Sequence, residues 1–243
     1  MSSFNRTPIR LMRGALCAVG LFSGAIAQAI TVPGSANPNL AGRSAGYSCC
    51  SGDSAPAQSP TEVTGVSFAP GDSLAFSVSG RVSYVPGVLP GNNPDGDESG
   101  SLFNYGDGIS APTSVRYNAL YGVFLTAGAP TGSATPTPLD YSAGLNFTTF
   151  APGIGQIFFI GDGLTSDSNL NDFSGTAQSF LVPAAATRLF LGTGDGVGWY
   201  NNSGSFDVSA RVVQQGGAVP APSSVALLGL GLGSLALVRR RRR

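Results

Sequence analysis

The stretch RLFLGTGDGVGWYNNSGSFDVSARVV, residues 188–213, sets two strand-like runs around one glycine-rich loop. In the second run, from Gly204 to Val213, Phe206, Val208, Ala210 and Val212 fall at every other position. That alternation is the mark of a strand with one face in a core. Working outward, the run from Ser73 to Tyr84 repeats it, with Leu74, Phe76, Val78, Val82 and Tyr84 on one face. Further short candidates lie between Gly, Pro and Asp turns at 62–68, 115–117, 119–126, 156–161, 176–182 and 188–191. Outside the termini no segment carries a helical period. With 35 glycines and 17 prolines to make turns, the reading is one all-β sandwich of ~150 residues. Its core is expected from Phe68, Phe76, Phe124, Phe158, Phe180, Phe190 and Phe206.

The loop inside the quoted stretch concentrates hard oxygen donors. Asp195 offers a carboxylate, Asn201 and Asn202 offer amide carbonyls, and Gly194, Gly196 and Gly198 let main-chain oxygens converge on the same point. Such a donor set suits Ca2+. Asp, Asn and Gly are also ordinary turn residues, so a plain turn is the competing reading. Trp199, the single Trp, has the shape to stack on a sugar ring; the alternative is that it caps the sandwich core.

Asn201-Asn202-Ser203-Gly204-Ser205-Phe206, with Asp195 before it, resembles the ending of the calcium-dependent galactophilic lectins of bacteria. Phe68-Ala69-Pro70-Gly71-Asp72 and the strand closing on Val82-Ser83-Tyr84-Val85-Pro86 are similar to that family's first core strand. The resemblance implies a jelly-roll-like, galactose-binding-like sandwich. It also implies a calcium ion held by Asp195, Asn201, Asn202 and the Tyr84 carbonyl, with a further carbonyl from Gly198 or Trp199. Family members hold sugar partly through a His and a Gln in the loop after the first strand. This chain has no His, and its matching loop, Pro94-Asp95-Gly96-Asp97-Glu98-Ser99, is acidic. The sugar-contacting candidates are therefore Trp199, Asp195, Asn201 and Asp97.

Both ends read as targeting segments. Arg6, Arg10 and Arg13, the apolar run Gly14 to Ile26 and the small-x-small site Ala27-Gln28-Ala29 form a signal peptide over residues 1–29, with Ile30 as the expected first mature residue. Val219-Pro220-Ala221-Pro222, the apolar run Val225 to Val238 and Arg239 to Arg243 resemble the PEP-CTERM sorting signal. Val219, Pro220, Pro222, Arg239 and Arg240 carry the match, with Ala221 where the motif has Glu. The resemblance implies a sorting signal over 215–243 with an apolar helix inside it, a transient place in the inner membrane, cleavage by an exosortase-type membrane protease and delivery to the cell surface or extracellular matrix. The arginine cluster puts that helix's end on the cytoplasmic side.

Between these signals, residues 30–60 are Gly-, Ser- and Pro-rich and predict a loosely ordered arm, leaving 61–214 as the folded domain. Eight of the 13 arginines belong to the two terminal signals, so the body sets five arginines against 13 acidic residues, a net charge of −8. Without lysine or a basic patch, phosphate neutralisation has nothing to work with, and nucleic acid is excluded as a partner. Cys49 and Cys50 are adjacent, which leaves a vicinal disulfide or two intermolecular bonds. Lacking His and Lys, the chain has no His-based triad, His-ligated zinc or Schiff base, and we read it as no enzyme. The loop 161–167, with its continuation to Asp172, has donors for a second ion but fits no EF-hand spacing and reads as a solvated hairpin loop, and 104–108 reads as a turn. The expected function is an exported, calcium-stabilised, lectin-like protein contacting extracellular polysaccharide; the alternative is a structural matrix protein with calcium but no specific sugar.

Overall fold

The computed structural model describes residues 28–89, 91–97, 99–100, 102–165 and 174–213. The expected signal peptide, apart from Gln28 and Ala29, and the expected sorting signal with Val219, Pro220, Pro222, Arg239 and Arg240 lie outside the described residues, as do Glu98, Asp167 and Asp172. Among the described residues the fold is all-β. Its strands are β1 (Gln28–Pro33), β2 (Ser48–Cys49), β3 (Asp53–Ser54), β4 (Thr61–Glu62), β5 (Ser73–Ser83), β6 (Ser99–Gly100), β7 (Val115–Arg116), β8 (Leu120–Leu125), β9 (Thr149–Phe150), β10 (Ile157–Phe159), β11 (Ser179–Leu181), β12 (Arg188–Thr193) and β13 (Ser203–Val213).

The two runs with the clearest alternation, β5 and β13, pair antiparallel along their whole length, from Ser203 opposite Ser83 to Val213 opposite Ser73. They form the middle of a five-stranded sheet, β1-β13-β5-β11-β9; a four-stranded sheet, β10-β8-β12-β4, makes the second layer. Leu74, Phe76, Val78 and Val82 of β5 meet Leu120 and Phe124 of β8, Phe158 of β10 and Leu189 and Leu191 of β12 in one core. Gly80 faces Phe206 across the pair at φ 99°, and a side chain there would strike the Ser205 carbonyl at 2.4 Å. No other residue fits that position.

The second sheet is buried on both faces. Tyr121, Val123 and Leu125 of β8, with Phe190, turn away from the first core and pack under Leu102, Ile109, Tyr141 and Leu145 of the long loops. This explains why LYGVFL shows no polar alternation. Phe190 therefore belongs to this second cluster, and Phe68 is only partly buried against the first.

The expected arm over 30–60 is corrected. Ile30 and Val32 enter the main core, and β1 pairs with β13 from Gln28 opposite Ala210 to Pro33 opposite Ser205. Beyond it, Asn37 caps a 3-10 turn over Pro38–Leu40, its side chain accepting from the Asn39 N–H at 2.9 Å with Pro38 at the first helical position. Buried Arg43 then pairs with Asp107 at 3.0 Å and holds the segment to the turn at 106–108. Asp107 also accepts from the Tyr47 hydroxyl at 2.7 Å, which with its other donors keeps its carboxyl below the usual range.

Candidate metal centre

The loop joining β12 to β13 is where the expected ligands lie. Gly198, at φ 79°, opens a 3-10 turn over Trp199–Asn201, and Asn202 leads into β13. Asp195 is 6% exposed. Its carboxylate accepts from the Asn202 side chain and from the N–H groups of Gly196 and Val197. Asn202 also donates to the Gly34 carbonyl at 3.2 Å, while its own amide oxygen is buried with no hydrogen-bond partner among the described residues. Sheet register supplies the next residue: because Ser203 opposes Ser83, Tyr84 stands beside Asn202. Asp195, Asn202 and Tyr84 are thus brought to one corner of the sandwich. Asn201 is exposed at its rim.

For Trp199 the sugar-stacking role is corrected and the core-packing alternative holds. Its side chain is fully buried against Leu40 and the Cys49–Cys50 disulfide, and its indole N–H donates to the Thr193 carbonyl at 2.8 Å. The ring has no face for a sugar. Its carbonyl accepts the Asn202 N–H at 3.1 Å. The solvent-facing aromatic of this loop is Tyr200, 59% exposed. Asp97 is half-buried; its N–H donates to the Tyr117 carbonyl, and the Tyr117 ring packs 5.4 Å from that of Tyr84. A side chain on Gly196 would meet the Tyr117 hydroxyl at 3.4 Å, so Tyr117 links Asp97 to this loop.

Sequence reading missed the residue that clamps the loop. Asp53, with no exposed surface, accepts the N–H of Trp199 at 3.1 Å and of Tyr200 at 3.0 Å, and the Asn37 amide at 3.0 Å. These are the orphan donors at the start of a 3-10 turn, satisfied by a carboxylate from a distant part of the chain. A local signal did exist in Asn37-Pro38, which marks a helical start and hence an ordered segment.

Burial raises both carboxyls. Desolvation lifts Asp195 from 3.8 to about 6 against the pull of its three donors, with the negative charge of Asp53 adding to the rise, and desolvation likewise raises Asp53. The sign follows from linkage: between about pH 4 and 6 the folded protein holds a proton that the unfolded chain has lost, so stability falls as pH rises through that window. In chelator, the wild type should therefore lose stability relative to Asp195→Asn between pH 4 and 7. Melting temperatures of the two proteins across that range measure it; a constant difference would refute a buried Asp195 carboxyl.

Among the described residues no three of His, Cys, Asp and Glu gather in one group. An ion at this corner would rest on the Asp195 carboxylate together with amide and main-chain oxygens, a donor set within calcium's range. No protein-family model matches the chain, and no curated protein matches it.

Proposed function

We propose that this is an exported, calcium-stabilised, lectin-like binding protein, a jelly-roll-like sandwich of the galactose-binding type, sorted by an exosortase-type protease to the cell surface or matrix. The observation that supports it most is the meeting of buried Asp195 with Asn202, whose amide oxygen is buried without a hydrogen-bond partner, beside Tyr84. A buried carbonyl oxygen in that state is costly unless something electropositive meets it. Ca2+ would be held by the Asp195 carboxylate, the Asn202 amide oxygen and the Tyr84 carbonyl, with Asn201 at the rim. An ion at a solvent edge gives polysaccharide hydroxyls a place to coordinate, and exposed Tyr200 gives a ring face next to it. A matrix-structural role without specific sugar binding is favoured by one observation, the burial of Trp199.

Calcium should raise the melting temperature, because a ligand bound only by the folded state adds RT ln(1 + [L]/Kd) to unfolding, about 2.7 kcal/mol at a hundred times Kd. Asp195→Ala should abolish most of that gain. Equal melting in calcium and chelator would remove the metal from this reading. A glycan array run in calcium and in chelator separates the two roles: calcium-dependent capture supports the lectin, and calcium stabilisation without capture supports the structural protein.

A further inference from the structure

A second group of buried oxygen donors lies on the far side of Gly194. The loop 92–97, the turn 117–120 and the turn 160–164 close around the start of β8. Leu120 donates to the Pro94 carbonyl at 2.9 Å and receives at its own carbonyl the N–H groups of Ile160 and Gly161; Asp97 donates to Tyr117 at 3.1 Å. The expected solvated hairpin at Asp162 is thereby corrected. Asp162 is 4% exposed and Asp95 2%, and the Asp162 N–H donates to the Asp95 carboxylate at 3.0 Å. The Asp95 oxygen sits so close over Gly161 that a side chain there would overlap it. A second bond, from Leu164 N–H to Asp162 at 2.8 Å, fixes the other carboxylate.

Two amides complete the group. Asn93, two residues before Asp95 in the turn closed by Gly96 N–H to the Asn93 carbonyl at 2.9 Å, is 1% exposed. Among the described residues neither its amide oxygen nor its amide nitrogen has a hydrogen-bond partner. Asn118, also 1% exposed, donates to the Asn92 side chain at 2.7 Å, which sets it against the same loop; its amide oxygen has no hydrogen-bond partner among the described residues. Buried amides almost always find partners. Here two of them belong to the same three backbone-linked segments as two buried carboxylates, in a chain without His and with the two described cysteines joined in a disulfide. Oxygen-only donors that mix carboxylate with amide carbonyl select a hard divalent cation with a flexible coordination sphere.

We infer that Asp95, Asp162, Asn93 and Asn118 form a second calcium site, separate from the Asp195 corner. The two are joined through the backbone, since the Asn118 N–H donates to the Gly194 carbonyl at 2.8 Å and Asp195 follows it. An ion here would tie the loop 92–97 to β8 and to the turn at 160–164.

The test is equilibrium calcium binding to the purified full-length chain, with calcium as the only probe. The expected stoichiometry is two ions for the wild type and one each for Asp162→Asn and Asp195→Asn. An Asp162→Asn protein that still binds as many ions as the wild type overturns the site. If the wild type binds one ion, loss of that ion in Asp162→Asn upholds this site and removes the one at Asp195; loss only in Asp195→Asn does the reverse. Should Asp162→Asn fail to fold, Asn93→Leu decides. It removes an unpartnered amide, so in chelator it should melt no lower than the wild type, yet its calcium affinity at this site should fall at least tenfold. A calcium-induced shift in melting equal to that of the wild type would mean the polar knot holds no ion, and the inference fails.

Discussion

Trp199→Ala is expected to cost about 3–5 kcal/mol of folding stability, the range for truncating a large buried aromatic. The indole is fully buried in a small cluster with Leu40, Cys49 and Cys50, against which only Tyr47 packs from the side among the described hydrophobic residues. Truncation also strips the Thr193 carbonyl of its donor at 2.8 Å. Urea unfolding in chelator measures the loss free of any contribution from calcium. Trp199→Phe should recover most of the packing but not the hydrogen bond, leaving a deficit of ~1 kcal/mol from that bond plus a smaller cavity cost. A loss under ~1 kcal/mol for the Ala variant, together with abolished glycan capture, would return the ring to the sugar-stacking role read from the sequence. Because the disulfide joins neighbouring residues, it closes almost no chain loop, and its part in stability is to present an apolar surface to this ring rather than to restrain the unfolded chain.

The parts of the fold that the sequence discloses are those whose signal is local. Period-two alternation marks β13, which has one face in the core and one largely toward water, and the middle of β5 over residues 77–81, whereas residues 73–76 are buried throughout and stand out by their small and apolar side chains. β8 and β10 are visible only as apolar runs, since both faces of their sheet are covered. Residues 30–60 mislead because their burial does not rest on large apolar side chains. Apart from Ile30, Val32 and Leu40 the segment is packed by Asn37, Asn39, Arg43, Asp53 and the disulfide, a polar network that composition cannot distinguish from a solvated arm. The same division runs through the site. Asp195 and Asn202 share one turn and are legible there; Tyr84 is reached in the sequence only through the family resemblance, and the pairing of β5 with β13 is what sets it beside Asn202. Asp53 meets the loop from 146 positions away, and Asp95 meets Asp162 across 67; no local pattern encodes either meeting.

Asp53→Ala should be nearly as damaging as loss of the indole, by about 3 kcal/mol or more, because it leaves several buried donors unpaired at ~1–3 kcal/mol each. Those donors are the Trp199 and Tyr200 N–H groups and the Asn37 amide. The loss would reach beyond stability. With its first turn unclamped, the 199–201 segment no longer holds Asn202 against Asp195, so calcium affinity should fall although Asp53 is not a ligand. Asp53→Asn separates positioning from charge. Its single amide oxygen can serve only some of the donors, so a smaller stability loss is expected. Because the negative charge of Asp53 contributes to the raised pKa of Asp195, the neutral variant should also move the Asp195 titration below about 6. The pH at which the chelated protein loses stability would shift down with it, readable in the same melting series. If Asp53→Ala unfolds within ~1 kcal/mol of the wild type and binds calcium unchanged, the loop is held by something other than this carboxylate, and the clamp is wrong.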